Sequence, residues 1–79
     1  MPVVMRIGPY RFLFFAADQN EPAHVHVTRD RSEAKFWIEP VVRLENQRGF
    51  ADHELNRITR LVSDHREFLL ERWNEYFRQ

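Results

Sequence analysis

"EPAHVHVTRDRSEAKFWIEP", residues 21–40, alternates twice about a polar centre. Val25 and Val27 stand between His24, His26 and Thr28; beyond the link "RDRSE", Ala34, Phe36 and Ile38 alternate with Lys35, Trp37 and Glu39. Successive side chains of a strand point to opposite faces, so each run reads as a strand with one buried face. The short polar link makes the two a hairpin.

Outward from the hairpin, Val3 to Ile7 is a β-rich run closed by Gly8 and Pro9, and Tyr10 to Ala17 follows as a second strand, too aromatic and too short for a surface helix. Asp, Asn and Pro in "ADQNEP" (17–22) form the turn that leads to the third strand. Pro40 ends the fourth, and Val41 to Leu44 reads as a fifth. After "NQRGF" the period changes: Leu55, Ile58, Leu61, Val62, His65, Phe68, Leu69, Trp73 and Tyr76 recur at steps of three and four, a helical stripe. Asp52 is placed to cap its first turn. Two helices meeting near Ser63 and Asp64, or one bent helix, fit this stretch.

Strands first and helices last define an α+β domain. The expected architecture is a four- to five-stranded, mostly antiparallel sheet within residues 1–46. A helical hairpin within 51–78 packs on one face, and the whole of 1–79 is a single domain. The stripe of Leu55, Ile58, Val62, Phe68, Leu69 and Trp73 should cover the sheet. Trp73, Tyr76 and Phe77 should close the core or, as a second reading, contact another copy in a homodimer.

A chain of 79 residues, 43% apolar and 14% aromatic with two glycines, has the composition of one globular core. It contains no cysteine, so disulfides and thiolate metal sites are excluded and histidine and carboxylate remain as the strong ligands. The longest apolar run, "FLFFAA" at 12–17, is far too short for a membrane span, and a cytoplasmic protein is the expectation. Twelve basic and twelve acidic side chains cancel, so contact with RNA or DNA has to rely on a local patch.

Alternation puts His24, His26 and Thr28 on the face opposite Val25 and Val27, with Lys35, Trp37 and Glu39 alongside. Phe12 and Phe14 then belong under the helices, and Leu13 and Phe15 beside the imidazoles. The expected surface is an open face with two imidazoles, a lysine and aromatics. Two histidines at i and i+2 stand about 6.5–7 Å apart at Cα and point the same way, so both can converge on one ion or phosphate. As divalent-metal ligands, His24 and His26 need completion by Asp18, Glu21, Glu39, His53 or His65. As acid and base on a phosphodiester, they have Lys35 as the electrostatic helper, and these three are the candidate catalytic residues. As structural groups, they cap the loop backbone after Pro22 and pack against Trp37. His53 and His65 read as helix-end residues. Trp37, Glu39, Arg57 and Arg60 are the candidate interaction surface, and the two arginines with Lys35 and Arg43 form a candidate phosphate patch.

The opening "MPVVMRIGPYRFLFF", the segments "EPAHVHV", "EAKFWIEPVVRL" and "GFADHEL", and the closing "ERWNEYF" resemble the bacterial domain-of-unknown-function 4160 family. The most specific element is Pro-x-His-Val-His-Val, matched at Pro22, His24, Val25, His26 and Val27. Ala51 departs from the serine that relatives often carry at the helix start. The resemblance implies a small component of a toxin-antitoxin type two-gene module. It also implies a protein partner of the domain-of-unknown-function 2442 type and an RNA-directed activity. A metal-binding or interaction module is the alternative.

Overall fold

A computed structural model describes residues 3–77. Five strands, β1 (Val3–Ile7), β2 (Tyr10–Leu13), β3 (His24–Arg29), β4 (Ser32–Trp37) and β5 (Arg43–Arg48), form one antiparallel sheet in the order of the chain. Helices α1 (Asp52–Asp64) and α2 (Arg66–Phe77) follow, and the α+β expectation holds. The two-residue turn between β1 and β2 is possible because Gly8 takes φ +55°, a conformation that costs glycine nothing. Asp30, at φ 54°, does the same for the β3–β4 hairpin, and aspartate is one of the few side chains that tolerate it.

Register follows the alternation. Phe12 pairs with Val27, Val25 with Phe36, and Val27 with Ala34, so one face of the sheet is continuous hydrocarbon. Leu55, Ile58 and Val62 of α1 and Leu69 and Trp73 of α2 cover it. Each large side chain buried there contributes about 1.5–3 kcal/mol. A polar clamp fixes the helix layer at one end. Glu54 accepts a hydrogen bond from Tyr10 Oη (2.7 Å) and two from the Arg29 guanidinium (2.6 and 2.8 Å), which joins α1 to β2 and β3. At the other end Arg66 donates to the carbonyls of Ile38 (2.7 Å) and Pro40 (3.0 Å).

Several boundaries differ from the sequence expectation. β2 stops at Leu13 rather than Ala17, and Ala16–Asn20 is a 3-10 turn. The cause is local: the Asp18 carboxylate accepts the Phe15 amide proton at 2.8 Å, taking a donor that a continuing strand would have used. β5 is Arg43–Arg48 rather than Val41–Leu44, and so extends past residue 46; Val41 is exposed and Val42 only partly buried. Asp52 is the first helical residue and Ala51 the cap, without a side-chain cap bond. Asp52 and Glu54 instead supply negative charge to the first turn, where the helix dipole favours it. The two-helix reading holds, with the break at His65. Phe68 is 41% exposed and lies outside the core, because Leu69, seven residues after the buried Val62, takes the inward position.

Candidate metal centre

The second face of the sheet carries the histidines, as alternation requires. His24 pairs in register with Trp37, His26 with Leu13 and Lys35, and Thr28 with Arg11 and Glu33. The face is not open. His24 is 0% and His26 9% exposed, because the chain leaving β2 folds back across them. We call residues 15–22 the strap. Phe15 sets its ring edge-on to His26 (centroids 4.5 Å), and Trp37 and Trp73 enclose His24 at 5.3 and 5.2 Å. The strap itself buries no residue between Ala16 and Asn20, so its attachment is mainly polar.

Asp18 is the centre of that attachment. Its Oδ1 lies 3.2 Å from His24 Nε2 and its Oδ2 3.2 Å from His26 Nε2. One ligand atom from each of Asp18, His24 and His26 falls within 4.8 Å of the others. His24 Nδ1 lies 2.9 Å from the Pro22 carbonyl, which can only accept, so this nitrogen carries a proton. In the neutral ring Nε2 is then a bare lone pair, and it faces a carboxylate. Neither His24 Nε2 nor either nitrogen of His26 has a hydrogen-bond partner, and all three are shut off from solvent. Burial pushes the His26 pKa below its ordinary value; the nearby His24 adds to this, while Asp18 and Glu33 partly offset it. Two covered imidazoles and a half-buried carboxylate thus converge, a donor set of the kind that can take up a cation.

The outer contacts resemble those of a metal-bound imidazole, which typically donates its second N–H to a carbonyl or carboxylate. His24 has the Pro22 carbonyl in that place, with Glu21 Oε1 at 3.6 Å, and His26 Nδ1 has Glu33 Oε2 at 3.6 Å. Of the completing ligands proposed from sequence, Asp18 alone reaches the Nε2 atoms. Glu39 is exposed beyond the end of β4, His53 lies at the start of α1, and His65 Nδ1 is 2.8 Å from the Leu61 carbonyl, a helix-end contact as expected. Glu33 was not anticipated, although its register opposite Thr28 puts it on the histidine face.

Lys35 is on this face too, but its ammonium donates to Glu21 at 2.8 Å and sits 4.7 Å from the Trp37 ring centroid. That hydrogen bond holds the Glu21 carboxyl below its ordinary range. Trp37 Nε1 donates to Glu45 at 2.8 Å. Arg57 and Arg60 are exposed on α1, across the sheet from Lys35, so the structure does not join them into one patch. The loop-capping reading holds for His24, which binds the carbonyl of Pro22 and packs on Trp37, but not for His26.

The fold and site together define an antiparallel sheet on which two buried histidines meet the half-buried Asp18 of a covering strap. The chain belongs to the DUF4160 family, a domain of unknown function, whose model matches residues 10–74 and so spans the strap, both histidines and most of both helices. No curated protein and no solved structure matches the chain. None of the described helices is long and apolar enough to cross a membrane.

Proposed function

We propose that this protein is a small divalent-metal-binding module in which Asp18, His24 and His26 hold the ion and the ion fastens the strap to the sheet. The observation that carries the proposal is the pair of 3.2 Å separations between Asp18 and the two Nε2 atoms. A charge-assisted N–H···O bond is shorter, about 2.7–2.9 Å. Ligand atoms at tetrahedral angles on a metal, with bonds of about 2.0–2.2 Å, lie about 3.3–3.6 Å apart; the two Asp18–histidine separations, one to each carboxylate oxygen, are near this, and the three-ligand set as a whole lies within 4.8 Å, so the ion would draw it together. Two imidazoles and one carboxylate are borderline ligands, suited to zinc, nickel, cobalt, iron or manganese rather than calcium.

In the cell we assign the module to the cytoplasm, as one component of a toxin-antitoxin type pair with a neighbouring protein of the domain-of-unknown-function 2442 type. The family resemblance supports that context, and co-purification of the two gene products tests it. Acid and base catalysis on RNA by His24, His26 and Lys35 has less support, since both imidazoles are covered and the lysine is bound to Glu21.

The test of the metal reading is thermal unfolding of chelator-treated protein at pH 7.5 with zinc, nickel or manganese added. Free metal at 100 times its dissociation constant stabilises by about 2.7 kcal/mol, a rise in melting temperature of about 10–20 °C for a domain of this size. Asp18→Asn and His24→Gln should each remove the rise. No shift with any of the three ions, together with no bound metal by elemental analysis, would falsify the reading.

A further inference from the structure

We propose that the face of the sheet opposite the helices carries a binding site for a phosphate group, formed by Arg6 of β1, Arg11 of β2 and Thr28 of β3. Arg6 and Arg11 are register partners, and Arg11 and Thr28 are register partners, so the three side chains stand in one row across adjacent strands on the same face. Direct cross-strand neighbours have Cβ atoms about 4.5–5.5 Å apart, and like charges placed so repel. A sheet that puts two exposed guanidinium groups side by side therefore offers an anion a place between them. Among the described residues no carboxylate comes within ion-pair distance of either. The neighbouring Arg29 is fully engaged by Glu54 and Asp30 and takes no part.

Two further observations indicate a ligand. Thr28 Oγ1 has no hydrogen-bond partner and is covered where it stands, an unusual state for a hydroxyl, and a change of χ1 rotamer would bring it to an anion in the depression. All three residues line one depression, which the Gly8–Pro9 turn and the Arg29–Asp30 ion pair also line. Two planar forks and a hydroxyl outnumber the two oxygens of a carboxylate and suit a tetrahedral oxyanion, which arginine pairs bind in bidentate fashion. Glycine at position 8 leaves open space above the turn, since a Cβ built there meets nothing within 4 Å. None of these residues is a candidate metal ligand, so the site stands independently of the metal reading.

Amide NMR of chelator-treated protein at constant ionic strength provides the test. The probes are inorganic phosphate, an RNA tetranucleotide with hydroxyl ends, and acetate. Saturable shifts at Arg6, Gly8, Arg11 and Thr28 are expected with one or both of the phosphate probes and not with acetate. The R6Q/R11Q double variant, being an exposed substitution, should melt like the parent yet bind at least about tenfold more weakly. The R57Q/R60Q variant should bind as the parent does. Tighter binding of inorganic phosphate supports the site with a small phosphorylated ligand as its occupant; tighter binding of the tetranucleotide supports it with a nucleic-acid backbone. Shifts that fail to saturate, that spread over all arginines, or that survive in the R6Q/R11Q variant overturn the proposal. Because every arm is run in chelator, a failed metal site leaves the result unaffected.

Discussion

Both faces of this sheet bury residues, one beneath the helices and the other beneath the strap, and they do so by opposite means. Under the helices, Phe12, Val25, Val27 and Phe36 are fully buried against Ile58, Val62 and Leu69, and nothing in that layer requires a partner other than hydrocarbon. Under the strap, His24 and His26 are buried nearly as well, yet three of their four ring nitrogens lack a hydrogen bond. Apolar burial is stabilising by itself, whereas polar burial is stabilising only when every group is matched. The helix layer is thus a finished core, whereas the strap layer leaves polar groups unmatched, which is where the proposed metal site lies.

The contrast fails most visibly if the helix face is not the seat of stability. Phe36→Ala opens a cavity at the middle of the sheet and should cost about 3–5 kcal/mol, measured by urea unfolding of chelator-treated protein. A loss below about 1 kcal/mol, within the range of surface substitutions, would mean that the sheet and helices do not pack as described.

Acid should separate the two faces. His26 has a folded pKa below its ordinary value because burial disfavours the charged ring. The unfolded or opened chain therefore binds more protons once the pH drops below about 6.5, and stability falls with falling pH from there. On the helix side Glu54 has a depressed pKa, held down first by its hydrogen bond from Arg29 and then by that from Tyr10. Its contribution is present above the ordinary carboxyl value of 4.5 and is lost as the pH falls below it. Hydrogen exchange in chelator should accordingly show the Phe15 amide, held by Asp18, losing protection as the pH falls below about 6.5 while the α1 amides keep theirs. His26→Gln should abolish that early loss. Simultaneous release of both layers would merge the two faces into one cooperative unit.

The helix face was legible in the sequence because its signal is local and periodic. The alternation of Val25 and Val27 with the histidines, and the three-and-four spacing from Leu55 to Val62, each report burial directly. What the strap does is not periodic. The apolar run from Leu13 to Ala17 reads as continued strand, and the event that ends it is one carboxylate capturing one amide three residues earlier. Sequence reasoning put both imidazoles on the correct face and included Asp18 among five completing ligands. It left that face open, because no pattern announces that a short turn will fold over it. β5 was misplaced for a related reason. It lies at the edge of the sheet with mostly exposed side chains, so "RLENQR" carries no alternation to read, while the adjacent Val41 and Val42 look more strand-like than they are.

The smallest expected effect marks the edge of the helix core. Phe68 falls on the sequence stripe but is 41% exposed, one position out of phase with Leu69, which is fully buried. The two residues are neighbours of similar hydrophobicity, so substituting each in turn isolates geometry from composition. Leu69→Ala removes packed side chain and should cost about 2–5 kcal/mol. Phe68→Ser changes a surface position and should stay within about 0.5 kcal/mol. The comparison is sharpest in chelator, where the strap contributes least. Equal losses at the two positions would show that α2 is rotated from the orientation described. The inward set would then include Phe68, and Trp73, four residues after Leu69, would turn away from His24 and leave the histidine pair open on that side.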